Sequence, residues 1–193
     1  MIVFDTTALS FLFIPGYVPS KPVKHGKERL EELVEAMTAN QDKIGIPSPA
    51  LSEFLVTCNE KQTDEFLKMV RISAWLEILD FDTPSAVEVA MRTRKAIEAG
   101  DKREGLTVDS AKMKFDRQIV GVAIAHGAAQ IISNDKDVKS LGERWGMKVV
   151  RVEELPIPAH LIPPPIIAIA MAADEKTAEE VRPDIDDDVF PDR

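Results

Sequence analysis

Short apolar runs alternate along this chain with longer stretches in which apolar residues recur every three or four positions. Ile2-Val3-Phe4 is the first run; Asp5-Thr6-Thr7 stops it, and Ala8 to Phe13 then reads as helix. Pro15, Gly16, Pro19 and Pro22 mark a loop. From Lys27 to Ala39, residues Leu30, Leu33, Val34 and Met37 fall on one helical face, with Glu31, Glu32 and Glu35 turned outward. Ile44-Gly45-Ile46 predicts a second strand, and Ser48-Pro49 reads as the N-cap and first residue of a helix through Leu55. Thr63 is expected to cap another helix bearing Phe66, Leu67 and Val70, and Leu76 to Phe81 to form a third strand. Thr83-Pro84 repeats the cap-plus-proline signal and opens a long helix closed by Gly100. Asp109 can cap a helix running to His126, with Ile119, Val122 and Ala123 buried and Gly127 at its end. Gln130-Ile131-Ile132 predicts a fourth strand. Asp135 starts a helix with Val138, Leu141 and Trp145 that stops at Gly146, and Lys148 to Val152 predicts a fifth strand.

Strands separated by single helices or helix pairs imply right-handed crossovers, hence a parallel sheet covered on both faces. The pattern changes after Leu155, where Pro156, Pro158 and Pro163-Pro164-Pro165 forbid regular structure. A short apolar run, Ile166 to Ala173, and an acidic tail follow. The expected organisation is a domain over residues 1–155 and an extension over 156–193.

In an open parallel sheet, ligands bind beyond the carboxyl ends of the strands. Asp5 directly follows the first predicted strand, Glu53 lies early in the helix after the second, and Ser133, Asn134, Asp135 and Asp137 follow the fourth. Asp116, early in the helix leading to the fourth strand, can face the same edge. Gathered carboxylates repel one another unless a cation neutralises them. Hard divalent cations with oxygen ligands do so, and Mg²⁺ suits a site of a few carboxylates plus substrate phosphate. His25, His126 and His160 lack metal-ligand spacing with one another, which argues against zinc. Asp5 and Asp135 are the best-placed ligands, Asp116 and Glu53 further ones, and Asp137 completes a second ion or orients a ligand. Ser133 and Thr6 can donate hydrogen bonds to these carboxylates or to a phosphate.

Charge changes the picture only after it is divided. The 193 residues carry 33 acids and 24 bases, a net of −9. Residues 174–193 hold nine acids and three bases, so the tail accounts for most of that excess. Without its five candidate site acids, the remaining body is mildly basic, at +2. Eight bases stand between Arg92 and Arg117 against five acids, and among them Arg103, Lys112, Lys114 and Arg117 are candidates for contact with a phosphate-bearing substrate. Tyr17 is the only tyrosine, so a stacking platform is not indicated. The acidic tail is expected to be solvated, or to mimic a phosphate backbone against the basic stretch. The single cysteine, Cys58, cannot form an internal disulfide and points to a cytoplasmic protein. The apolar start lacks a basic segment and is interrupted by Asp5, unlike a signal peptide, and no run is long enough to span a membrane.

Four marks in order resemble the PIN-domain ribonucleases: Ile2-Val3-Phe4-Asp5-Thr6, Pro47-Ser48-Pro49-Ala50-Leu51-Ser52-Glu53, Phe115-Asp116-Arg117-Gln118-Ile119, and Ile131-Ile132-Ser133-Asn134-Asp135-Lys136-Asp137. The resemblance covers residues 1–152 and implies a three-layer α/β/α fold around a central parallel sheet of about five strands. It also implies Mg²⁺- or Mn²⁺-dependent cleavage of RNA to products with a 5′-phosphate and a 3′-hydroxyl. Asp5, Glu53, Asp116 and Asp135 match the family's acidic positions, with Asp137 auxiliary. Many such proteins resemble toxins of type II toxin–antitoxin pairs, which implies a small antitoxin partner and a homodimer. Val138 stands where the family often has an aromatic residue, and the chain is longer than compact toxins.

Three other functions compete. An aspartyl-phosphate phosphatase with Asp5 as nucleophile needs a second acid two residues on, where Thr7 stands. A non-cleaving PIN-fold module that binds RNA or protein is disfavoured because every acidic position is filled. A housekeeping RNA-processing nuclease would share the same site.

Overall fold

The computed structural model describes residues 1–19, 21–105 and 109–162. One compact unit covers Met1–Ile157; of a second, Pro158–Arg193, only residues up to 162 are described, with a 3-10 turn at Ala159–Leu161. The apolar run after Pro165 and the acidic tail lie outside the described residues.

Five short strands form one sheet: β1 (Ile2–Phe4), β2 (Ile44–Pro47), β3 (Leu76–Leu79), β4 (Ile131–Ile132) and β5 (Val149–Val150). All pairings are parallel, in the order β3-β2-β1-β4-β5, with Ile2 opposite Ile44, Val3 opposite Ile131, and Ile131 opposite Val149. The helices are α1 (Thr6–Phe13), α2 (Gly26–Ala39), α3 (Ser48–Val56), α4 (Glu60–Ile72), α5 (Thr83–Glu98), α6 (Ser110–Ala125) and α7 (Lys136–Arg144). The alternation expected from the sequence is present, as α/β with a five-stranded parallel sheet.

Period-two alternation in β1 splits the core into two layers. Ile2 and Phe4 pack with Leu9, Leu30, Phe54 and Phe66, from α1 to α4. Val3 points the other way, to Val120 and Val122 of α6 and Val138 and Leu141 of α7, with Val89 of α5 against the same cluster. β1 and β2 are buried on both faces and so are wholly apolar, whereas the edge strand β3 carries Glu77 and exposes Ile78. Gly121 lets α6 pass close to α5, since a Cβ there would lie 2.3 Å from a methyl of Val89. Gly146, at φ +78°, follows the end of α7 in the left-handed conformation that favours glycine.

Several caps differ from expectation. Asn59, not Thr63, caps α4, in a capping box with Gln62. Asp82, not Thr83, caps α5, its carboxylate accepting from the Ser85 amide. Ser48 opens α3 as a helical residue, and its hydroxyl accepts from the amide of Phe81 at 3.0 Å, joining α3 to the segment after β3. In each of these three places a neighbouring polar residue had the better geometry or a long-range partner. Asp109 and Asp135 do cap α6 and α7. The fifth strand is only Val149–Val150, because Val152–Glu154 turns into 3-10 helix.

Candidate metal centre

The chain runs outward from β1 through β2 to β3, then returns to place β4 and β5 on the other side of β1. Helices therefore leave the carboxyl ends of β1 and β4 in opposite directions and open a crevice between them. Asp5 follows β1 and Ser133-Asn134-Asp135 follow β4, at that crevice.

Asp5 is 2% exposed and held on three sides. One oxygen accepts from the amide of Ala8 at 2.9 Å and from the Thr7 hydroxyl at 2.7 Å; the other accepts from the Ser133 hydroxyl. The first contact is a helix N-cap, which fixes the carboxylate at the start of α1. The Ser133 oxygen also accepts from the Asp135 amide at 3.0 Å, and Thr7 accepts from the Asn134 amide at 2.8 Å. The turn after β4 is thus laced to the turn after β1, and Asp5 and Asp135 share one partner.

Asp116, two turns into α6, is 4% exposed, and Asp137 in the first turn of α7 is 7% exposed. Between them stands Lys112, one turn before Asp116. Its ammonium lies 3.1 Å from Asp116 Oδ2, 2.9 Å from Asp135 Oδ2 and 3.1 Å from Asp137 Oδ2. Burial pushes Asp5 up to about 6 against its hydrogen bonds to Ser133, Ala8 and Thr7. Burial likewise pushes Asp116 up to about 6, opposed by Lys112 and assisted by the charges of Asp135 and Asp137. Burial alone would lower Lys112, but hydrogen bonding and charge from Asp135 and Asp116 outweigh it and hold the ammonium above its usual range.

Glu53, on α3, enters through Thr6, whose hydroxyl donates to Glu53 Oε2 at 2.7 Å. Thr6 therefore ties the residue beside Asp5 to the fourth acidic position. The auxiliary residues Thr6 and Ser133 both bond carboxylates, as their hydroxyls allow.

The basic candidates divide. Lys114 is exposed on α6, and Arg103 is exposed in the loop before it. Lys112 lies among the carboxylates. Arg117 is corrected: it is 7% exposed, with Nε and Nη2 donating to Glu104 at 3.0 and 2.7 Å and Nη2 to the Lys102 carbonyl at 2.6 Å. That guanidinium is consumed inside the fold and has no face for RNA. The other bases beside the site are ones the linear pattern did not single out. A cavity of about 370 Å³ adjoins Asp135 and Asp137 and is lined by Tyr17, Lys21, Asn134, Lys136 and Arg151. Tyr17, expected to have no base-stacking role, stands in this cavity; its hydroxyl pKa is raised by partial burial and by Asp5. These residues come from three separated segments, so no local spacing announces them.

Every group around Lys112 is an oxygen donor of the hard type that Mg²⁺ and Mn²⁺ prefer, and the position already holds a cation, the ammonium. The donor set therefore fits such an ion in kind. Among the described residues, no three carboxylate, imidazole or thiol groups close in to metal-binding distance; they are spaced around the ammonium. No helix among the described residues is long and apolar enough to cross a membrane.

No protein-family model matches the chain, and no curated protein matches it in sequence. Solved structures do match in fold. A chain in the crystal structure of VapBC2 from Rickettsia felis bound to a DNA fragment from their promoter is 18% identical, with a TM-score of 0.51 over 78% of this chain and 98% of that one. A chain in the crystal structure of DNA-bound VapBC from Salmonella typhimurium is 19% identical, with a TM-score of 0.50 over 78% of this chain and 97% of that one. At such identities the likeness is one of architecture, and this chain has a PIN-like α/β/α fold with a five-stranded parallel sheet.

Proposed function

We propose that this chain is a metal-dependent ribonuclease of the PIN type, and that its site is the crevice at Asp5, Asp116, Asp135 and Asp137. The observation that carries the reading is the gathering of these four carboxylates, from three separated segments, at the switch point of the sheet. Buried acids that repel one another cost stability, and a fold retains them where a cation and its chemistry repay the cost.

Asp5, Asp116 and Asp135 would hold Mg²⁺ or Mn²⁺, with Asp137 and Glu53 completing the shell directly or through water. When bound, such an ion lowers the pKa of a water nucleophile and offsets charge on the phosphodiester. The chain's own residues orient the donors. Ser133, Thr7 and the Ala8 amide fix both oxygens of Asp5, and the Asp137 amide donates to Asp135 Oδ1 at 2.8 Å, leaving its second oxygen toward the site. Lys21, Lys136 and Arg151 offer positive charge beside the acids for the phosphates of the strand. Arg103 and Lys114 remain available for the flanking backbone.

The test is cleavage of a labelled single-stranded RNA with Mn²⁺ or Mg²⁺, with and without chelator, for wild type, Asp5→Asn and Asp116→Asn. Metal-dependent cleavage lost in both variants supports the reading; equal cleavage in chelator or in Asp5→Asn overturns it. The VapBC likeness supports a toxin with a small antitoxin partner, and growth arrest on induction, absent for Asp5→Asn, is the corresponding check. The Lys112 contact favours a second reading, a non-cleaving RNA-binding module whose acids are neutralised internally. RNA binding with no cleavage in any metal would select it.

A further inference from the structure

We propose that Lys112 is a tethered counter-cation of the acidic crevice, which a divalent ion must displace in order to bind. This rests on the metal-centre reading above. The ammonium bridges Asp116, Asp135 and Asp137 at 2.9 to 3.1 Å, so it engages the oxygens that would bind a metal. An oxygen shell of Mg²⁺ or Mn²⁺ is tighter, at about 2.0 to 2.2 Å, and cannot form around an ammonium at the same point. A metal beside the ammonium would also face a like charge a few ångströms away.

The side chain has somewhere to go. Lys112 lies in the first turn of α6, its side chain is 35% exposed, and its backbone amide is secured separately by Asp109. Rotation of the lysine stem therefore moves the ammonium to solvent without unwinding the helix. The two states are the ammonium in the crevice and the metal in the crevice. Metal affinity then scales with the fraction of molecules whose lysine is out. If nine molecules in ten hold it in, apparent affinity falls about tenfold.

The experiment is Mn²⁺ binding, read as loss of the free-ion signal in electron paramagnetic resonance, for wild type, Lys112→Met, Lys112→Gln and Lys114→Met. Lys112→Gln keeps a polar partner for the acids and covers the case in which the methionine variant does not fold. Lys114 is exposed on the same helix, so its replacement removes an equal charge without opening the crevice. The expected result is an Mn²⁺ affinity at least about tenfold tighter in the Lys112 variants and within about twofold of wild type in Lys114→Met. Equal Mn²⁺ affinity in wild type and the Lys112 variants, or weaker affinity in the variants, overturns the displacement while leaving the metal centre in place. An equal gain in Lys114→Met overturns it as a general charge effect. Absence of Mn²⁺ binding in every protein overturns both the displacement and the metal centre.

Discussion

Replacing Glu104 by alanine is expected to cost the domain about 3–5 kcal/mol, although Glu104 lies in a loop. Glu104 is 6% exposed, and both its carboxylate oxygens are used: one accepts from Arg117 Nε and Nη2, the other from the Trp145 indole at 2.6 Å. Alanine would leave the Arg117 guanidinium buried with the Lys102 carbonyl as its remaining partner, and the indole N–H with no acceptor. An uncompensated buried charge accounts for most of the cost, and the orphaned indole adds about 1 kcal/mol. Glu104 also has φ +52°, which costs a residue with a Cβ about 1–2 kcal/mol and which alanine inherits. Glu104→Gly should accordingly lose about 1 kcal/mol less than Glu104→Ala. Removing both charges, with Arg117→Met beside Glu104→Met, should recover much of the loss, because no charge is then stranded. Urea unfolding followed by circular dichroism measures each value, and the alanine change should lower Tm by roughly 6–20 °C. A loss below about 1 kcal/mol is what a solvent-shared pair gives, and it would refute the argument from burial.

Asp5→Asn should abolish cleavage yet stabilise the metal-free protein at pH 7 by about 1–3 kcal/mol, since it removes a buried charge while keeping the N-cap acceptor. Asp5 and Asp116 sit at about 6 when folded against 3.8 otherwise, so between these values the native state binds more protons than the unfolded one. As far as these two groups are concerned, stability of the metal-free protein should thus be highest below about pH 3.8 and fall as pH rises from there to about 6; thermal melts showing the opposite slope would contradict it. Gly121→Ala should cost about 1–3 kcal/mol by forcing α5 from α6 at Val89, readable in the same melts. Neutralising Lys21, Lys136 and Arg151 together should weaken RNA binding and flatten its salt dependence by up to about three phosphate contacts, whereas Arg117→Met should leave that slope unchanged.

The fold was legible because its determinants are local. Each strand is followed by a polar residue and all but β3, which carries Glu77, are apolar runs, and Gly100, Gly127 and Gly146 follow the ends of their helices at positive φ. Residues placed by their position after a strand were legible too: Asp5 and Ser133 to Asp135 lie where the parallel topology puts the ends of β1 and β4. What local pattern could not supply is how a side chain is consumed across the fold. Arg117 and Lys112 both belong to the basic stretch, and sequence gives both the same reading. One is spent on Glu104, thirteen residues back around a loop, and the other on acids carried by a second helix. The caps at Thr63, Thr83 and Ser48 failed for a smaller version of the same reason, since a neighbour or a distant amide competed for the role.

Arg117 and Asp116 are consecutive on α6, and that adjacency links stability to chemistry. Successive helical residues point about 100° apart, so an anchored Arg117 leaves Asp116 on the side facing α7 and the turn after β4. Glu104 and Trp145 hold that anchor, and Lys112, one turn before Asp116, reports its direction by reaching the same acids. A rotation of α6 that released the Arg117 pair would swing Asp116 away from Asp135 and pull the Lys112 ammonium from Asp135 and Asp137, breaking the crevice. The loop before α6 is therefore part of the site's construction. Glu104→Ala should reduce metal affinity at temperatures well below its melting point, while Gly121→Ala, which strains α6 against α5 instead, should reduce stability with less effect on Mn²⁺ binding.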